Sequence, residues 1–303
     1  MSAISSERYP SPHTFRWSSF WQRYGRPALV YAVLMVMTTL FLLPFYILFR
    51  NAFLERSQMT GNVAWRWLPF PPSFVGWKGV ISRAVTGSNP TPQLYFAVVN
   101  SFIIAVFEVI GGLTVNGLAG YGIARLPGRL GRWILALVLG ALIIPTGAGL
   151  VISYLVVNSL GGVNTLWGVI VPGLASAFSV FIFRQYFLDF PSELEEAGLM
   201  DGLDALGVFW RVVLPNSTSI FAALGLLGFI GSWNSFQWPL VILGRTKELW
   251  TLQIMLSTFM TEQVIRLPEL FVGAVITTLP IFVIFFVAQR YVMEGFRYTG
   301  IKG

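Results

Sequence analysis

Residues 28–49 carry no charged side chain. Five further stretches, at 94–113, 133–157, 163–183, 220–243 and 270–288, hold a single acid among them, Glu108, and no base. Crossing a bilayer's hydrocarbon core takes about 20 mostly apolar residues in a helix. A helix there satisfies its own backbone hydrogen bonds, which lipid cannot do for it. A membrane β-barrel would instead show segments of about 10 residues with alternating polarity, and these runs do not alternate. The pattern predicts an all-α, polytopic membrane protein with six transmembrane helices. A cleaved signal peptide does not fit the first run, because such peptides have an apolar region of about 7–15 residues and a small-residue cleavage site.

Composition supports the same solvent. The chain is 55% hydrophobic and 11% charged, against roughly 25% charged in soluble domains. A soluble fold with so few charges could not cover its surface. The net charge of +7 does not point to nucleic acid, because the basic residues stand singly between apolar runs rather than forming a stripe. They report topology instead. With the N-terminus inside, twelve of the 20 Lys and Arg fall on the cytoplasmic side, including Arg8, Arg16, Arg23, Arg125, Arg129 and Arg132; eight fall outside, most of them in the 50–93 segment. The expected organisation is a cytoplasmic tail at 1–27, a first span at 28–49 and an extracytoplasmic loop at 50–93. A five-helix core at 94–290 carries a cytoplasmic loop at 188–217, and the chain closes with a cytoplasmic tail at 291–303. The outer loop, rich in Pro, Gly and Trp, reads as irregular chain lying partly on the interface.

Catalytic hardware is missing from the sequence. There is no cysteine, and the one histidine, His13, sits in the polar tail, so Cys-based metal sites and His-rich ones are excluded. No G-x-x-x-x-G-K-[ST] occurs, so the chain has no phosphate-cradling loop of its own. No G-x-S-x-G or H-E-x-x-H occurs either. The reading is therefore of a non-enzyme with no cofactor and no metal. The glycine pairs 111–112 and 161–162 read as places where helices pack closely.

Six of the 13 acids crowd into 189–204: Asp189, Glu193, Glu195, Glu196, Asp201 and Asp204. Pro191-Ser192 starts a helix whose first-turn acids oppose its dipole. Leu194, Ala197 and Met200 recur at helical spacing, Gly202 breaks the helix, and Val208, Phe209, Val212 and Val213 make a second stripe. Two short helices around a glycine, each with an apolar stripe, suggest a segment that docks on another protein, with Glu196 turned toward that partner.

The segment Glu196-Ala197-Gly198, three residues, Gly202, nine residues, Val212, one residue, Leu214-Pro215 resembles the E-A-A-x3-G-x9-I-x-L-P signature of ABC importer permeases that use binding proteins. Gly198 stands for the second Ala and Val212 for Ile. Other stretches are similar to the carbohydrate branch, specifically its maltose-type second permease subunit. They are Leu118-Ala119-Gly120-Tyr121-Gly122-Ile123-Ala124-Arg125, Phe183-Arg184-Gln185-Tyr186-Phe187, Gly231-Ser232-Trp233-Asn234-Ser235-Phe236, Gln289-Arg290-Tyr291 and the closing Gly300-Ile301-Lys302-Gly303. The resemblance covers most of the chain from about residue 90. It implies a sugar importer in a bacterial plasma membrane, working by alternating access. Its partners would be a second permease, two cytoplasmic ATP-binding subunits and an extracytoplasmic sugar-binding protein. The ATPases would be engaged through Glu196, Ala197, Gly198, Asp201, Gly202, Val212, Leu214 and Pro215.

Polar groups inside the spans are the remaining candidates, since they are costly in lipid and usually face a cavity or the bundle interior. Trp233, Asn234 and Gln237 offer an aromatic face beside amides, which suits a sugar path; interhelical hydrogen bonding is the other reading of them. Glu108 is expected to snorkel or pair near the cytoplasmic side of the second span, with a substrate role as the lesser alternative. Asn100-Ser101 and Pro145 read as packing and a kink. A secondary transporter of a small polar solute, working without an ATPase, is the rival reading, and it would want ionisable residues near mid-membrane.

Overall fold

The computed structural model describes residues 25–59, 67–68, 70–86, 94–261 and 266–299, and among them the chain is helical without a strand. It divides into two compact units, Met1–Arg50 and Asn51–Gly303. The first unit's described part lies in α1 (Arg26–Asn51), which is free of charge over 28–49 and has no buried residue of its own.

The second unit opens with two short helices, α2 (Arg56–Met59) and α3 (Val75–Thr86). The expected irregular outer loop thus contains three turns of helix. Its Pro, Gly and Trp content hid them, because α3 is held by packing on the last helix rather than by a clean local pattern. Trp67, Leu68 and Phe70 are exposed. Residues 60–66, 69 and 87–93, the 1–24 tail with His13, and the closing 300–303 lie outside the described residues.

The core then runs α4 (Leu94–Arg125), α5 (Gly128–Ile143), α6 (Thr146–Ser159), α7 (Leu166–Gly173), α8 (Ala177–Leu188), α9 (Ser192–Met200) and α10 (Ala205–Asn216). It finishes with α11 (Thr218–Trp233), α12 (Gln237–Leu243), α13 (Leu252–Thr261) and α14 (Leu267–Thr299). Among the described residues, four helical segments are long and apolar enough to cross a membrane: Arg26–Asn51, Leu94–Arg125, Leu166–Leu188 and Leu267–Arg290. Two bent pairs, α5 with α6 and α10 with α11, raise the number to six if each pair is one span.

Three departures from the expected spans have physical causes. Helix α4 does not stop at residue 113 but continues to Arg125. Hydropathy senses the hydrocarbon layer, whereas α4 stays ordered beyond it by packing along α8. Gly120 permits that approach, since a Cβ there would come within 2.6 Å of Phe183 Cβ. The third run is interrupted at Pro145, which has no amide hydrogen to continue α5 and instead heads α6 with φ −61° and ψ 131°. The fifth run is two helices, α11 and α12, parted at 234–236.

Helix α4 is the spine, lying against α8 and α11, while α11 also packs on α14. Trp233 and Phe229 of α11 stack at 5.6 Å in a cluster with Ala97, Ala105, Leu252 and Met255. A second cluster joins Phe183 and Phe187 of α8 to Val208, Phe209 and Val213 of α10 and Leu224 of α11. This second cluster fixes the acidic segment to the bundle.

Candidate functional site

Helix α9 has two unlike faces. Glu195 and Gly198 are buried, one helical turn apart. Leu194, Ala197, Leu199 and Met200 are exposed, Met200 at 88%, and Glu196 is exposed among them. An exposed apolar face on a short acidic helix is costly in water and useful on a partner.

The buried face is tied to the bundle. Arg125, at the last turn of α4, donates from Nε to Glu195 Oε2 at 2.8 Å and from Nη1 to the Phe187 carbonyl at 2.8 Å. Arg125 Nη2 also bonds Glu195 Oε1, and the Tyr121 hydroxyl donates to Glu195 Oε2 at 3.2 Å. The Arg125 guanidinium lies 5.6 Å from the Tyr121 ring centre. Tyr121 and Arg125 are four residues apart on one face of α4, so one acid of α9 meets two groups of the helix that forms the bundle's spine.

The turn after α9 closes by a Schellman pattern. Leu203 N donates to Gly198 O at 3.1 Å and Gly202 N to Leu199 O at 3.0 Å. Gly202 has φ +84°, the left-handed conformation that side chains resist. Asp204 then caps α10, accepting from Gly207 N at 2.8 Å. The two departures from the importer signature meet each other: a Cβ at Gly198 would stand 3.1 Å from Val212 Cγ2.

The second apolar stripe is not a docking face. Val208, Phe209 and Val213 are essentially fully buried against α8, and Val212 is partly covered. Their periodicity marks how α10 seats on the bundle. Leu214 is half-buried, while Asp201, Gly202 and Pro215 are exposed. After Ser217 the chain turns by 83° into α11.

Within the spans, the polar residues separate by role. Trp233 is buried at 2% exposure and donates from its indole nitrogen to Thr277 O at 2.9 Å, so its polar atom is used in holding α11 to α14. Asn234 and Gln237 are exposed at the break between α11 and α12. Asn234 Nδ2 donates to Ile230 O at 2.9 Å, and its Oδ1 accepts from Gln253 Nε2 at 3.3 Å. Asn100 donates to Glu248 O and Trp250 O, and Ser101 Oγ accepts from Leu252 N at 2.8 Å. Both thus hold the turn before α13.

Sequence reasoning missed Glu195, Tyr121, Arg125 and Asn116 as a working set. Asn116 is buried and donates to Leu174 O at 2.9 Å while accepting from Ser176 N at 2.9 Å. It supplies the backbone bonds lost where α7 gives way to α8. Glu108 lies mid-helix in α4, about 21 Å along the axis from Leu94 and about 26 Å from Arg125 at 1.5 Å per residue.

Residues 116–298 match the family described as binding-protein-dependent transport system inner membrane component. Among curated relatives, the arabinooligosaccharides transport system permease protein AraQ of Halalkalibacterium halodurans is 35% identical over 67% of this chain and 73% of its own length. The sn-glycerol-3-phosphate transport system permease protein UgpE of Yersinia pestis is 30% identical over 90% of this chain and 96% of its own. The lactose transport system permease protein LacG of Rhizobium radiobacter is 30% identical over 65% of this chain and 71% of its own. A crystal structure of a bacterial ABC transporter involved in import of the acidic polysaccharide alginate contains a chain of the same fold, with a TM-score of 0.73, 21% identity, and coverage of 93% and 99%.

Proposed function

The chain belongs to the family of binding-protein-dependent transport system inner membrane components, and from that premise we propose that it is the permease subunit of an ATP-driven sugar importer. It forms the translocation path with a second permease, receives sugar from an extracytoplasmic binding protein, and is driven by two cytoplasmic ATP-binding subunits. Both termini face the cytoplasm in this reading, which puts α9 on the side where ATP is available. The arabinooligosaccharide and lactose relatives support sugar as the solute class.

The observation that carries the coupling role is the two-faced helix α9. Its exposed side, with Glu196 among Leu194, Ala197 and Met200, is the docking surface, and its inner side is gripped by Arg125 through Glu195. Motion imposed on the outer face by an ATPase therefore reaches α4, a helix of 32 residues. Gly198, Asp201, Gly202, Val212, Leu214 and Pro215 shape and seat this segment. Asn234 and Gln237 border the path at the helix break, while Trp233 positions α11 behind them.

The test is transport and ATP hydrolysis measured on one reconstituted complex. Glu196→Lys should leave membrane insertion unchanged, because its side chain is exposed outside the spans, and should either release the ATPase or let it hydrolyse ATP without moving sugar. A Glu196→Lys complex with the parent ratio of sugar moved to ATP used would reduce the segment to a solvated connection. Failure of a tagged chain to co-purify any ATP-binding subunit would favour a transporter that works without one.

A further inference from the structure

A partly open cavity of about 120 Å³ lies among α4, α7, α8 and α11, four helices of the bundle, where polar groups are costly in a membrane protein. Glu108, Asn116, Ser176 and Ser179 make its polar wall. Gly112 and Gly173 keep other walls free of side chains. At Gly173 the clearance is specific to Glu108: a Cβ there would lie 2.5 Å from Glu108 Oε1. The cavity sits beside the interruption between α7 and α8, and broken spanning helices commonly line solute sites. Asn116 is already committed to Leu174 O and Ser176 N, so it frames the wall, and Glu108, which also meets the Ser232 side chain, is the acid that lines the space.

The lining selects by what it lacks. No Lys or Arg is among the described residues that line the cavity. Phosphate and carboxylate solutes are recognised by such cations, above all by the bidentate fork of Arg. A carboxyl oxygen pair flanked by serine hydroxyls matches instead a set of neutral O–H donors. The volume is enough for several waters, at about 10–15 Å³ each by this kind of measure, and too small for a whole oligosaccharide. It suits one hydroxylated edge of a sugar ring.

We propose that this cavity is a subsite for the hydroxyl groups of an uncharged saccharide, with Glu108 accepting from a neighbouring pair of hydroxyls, and that it disfavours anionic solutes. The inference rests on the sugar-import reading above and goes beyond it by naming the residue that meets the sugar and the charge class admitted.

The chain's lack of cysteine makes the test direct, since Glu108→Cys and Ser179→Cys each create the only thiol on this subunit. The assembled transporter, with its partner permease, ATP-binding subunits and binding protein, is reconstituted and treated with a small hydrophilic methanethiosulfonate. Labelling of this chain is followed by mass. Lactose and arabinotriose are the neutral probes and sn-glycerol 3-phosphate the anionic one. A neutral saccharide that stimulates the parent complex's ATPase should slow labelling of the Ser179→Cys thiol about tenfold at about ten times its half-stimulating concentration, and labelling of the Glu108→Cys thiol, which lacks the proposed acceptor, by about twofold. Glycerol phosphate should leave the rates unchanged. Glu108→Gln, assembled normally, should lower the uptake efficiency of that saccharide by about tenfold, the loss of one hydrogen bond. Labelling that ignores a saccharide to which the parent ATPase responds overturns the subsite alone. So do thiols that never react, or protection by glycerol phosphate equal to that by the saccharide. If none of the saccharides stimulates the parent complex, the sugar reading falls and takes this inference with it.

Discussion

The chain interrupts its helices in two settings that solve the same problem with different chemistry. Between α9 and α10, outside the spans, the solution is local. Gly202 takes φ +84°, Leu203 and Gly202 return their amides to Gly198 and Leu199, and Asp204 caps α10. Between α7 and α8, within a span, the solution is remote: the amide of Asn116, 58 and 60 residues away in sequence, bonds Leu174 O and Ser176 N. Water can complete a turn at the surface, so nearby residues suffice there. At membrane depth every freed backbone group needs a protein partner. The first interruption can therefore serve as a compact docking element, whereas the second ties its shape to the helix that carries Glu108.

The sharpest way to break this contrast is Asn116→Leu. The replacement is of similar size and removes both hydrogen bonds at once. Leaving two part-buried backbone groups unpaired should cost about 1–3 kcal/mol, seen as a lowered midpoint when the purified permease pair is unfolded by detergent titration. If Asn116→Leu unfolds at the parent midpoint, solvent reaches the α7–α8 junction and the two interruptions are alike.

The same contrast explains what could be read from the chain beforehand. The apolar runs and the glycine turn rest on local pattern and spacing, so the helical membrane fold and the helix break at Gly202 were visible. Spacing also showed that α9 carries an apolar stripe with Glu196 on its outer side. It could not show what holds Glu195 inward, because that is supplied by Tyr121 and Arg125 some seventy residues earlier. Their own four-residue spacing was a usable signal. Val208, Phe209 and Val213 gave the right period and the wrong partner, since periodicity marks a buried face without naming what buries it. Asn116 was lost because the two groups it bonds, Leu174 O and Ser176 N, lie 58 and 60 residues on in sequence.

A change of intermediate size tests the local side. A Cβ at Gly202 would meet nothing within 4 Å, so substitution there costs backbone strain and no clash. Gly202→Val should cost about 1–2 kcal/mol, and Gly202→Asn less, because Asn tolerates the left-handed region. Amide hydrogen exchange across 198–207 should rise in the order parent, Asn, Val. Equal exchange in all three would mean that the positive φ is incidental to the turn.

The smallest effect belongs to Asp204. Its carboxylate accepts from Gly207 N at 2.8 Å, and Gly207 leaves it room, since a Cβ there would stand 2.8 Å from Asp204 Oδ1. Removing an N-cap of this kind typically costs about 1 kcal/mol. The loss should stay local, because Val208 and Phe209 hold α10 to the bundle by burial that the cap does not influence. Asp204→Ala should therefore speed exchange at the amides of residues 206 and 207 by about fivefold while leaving the unfolding midpoint of the complex nearly unchanged. Asp204→Ser should recover most of the protection, as serine caps comparably. If Asp204→Ala instead lowered the midpoint as far as Asn116→Leu does, the docking segment would not be a locally closed element. Its shape would then depend on the bundle as strongly as the membrane-depth interruption does.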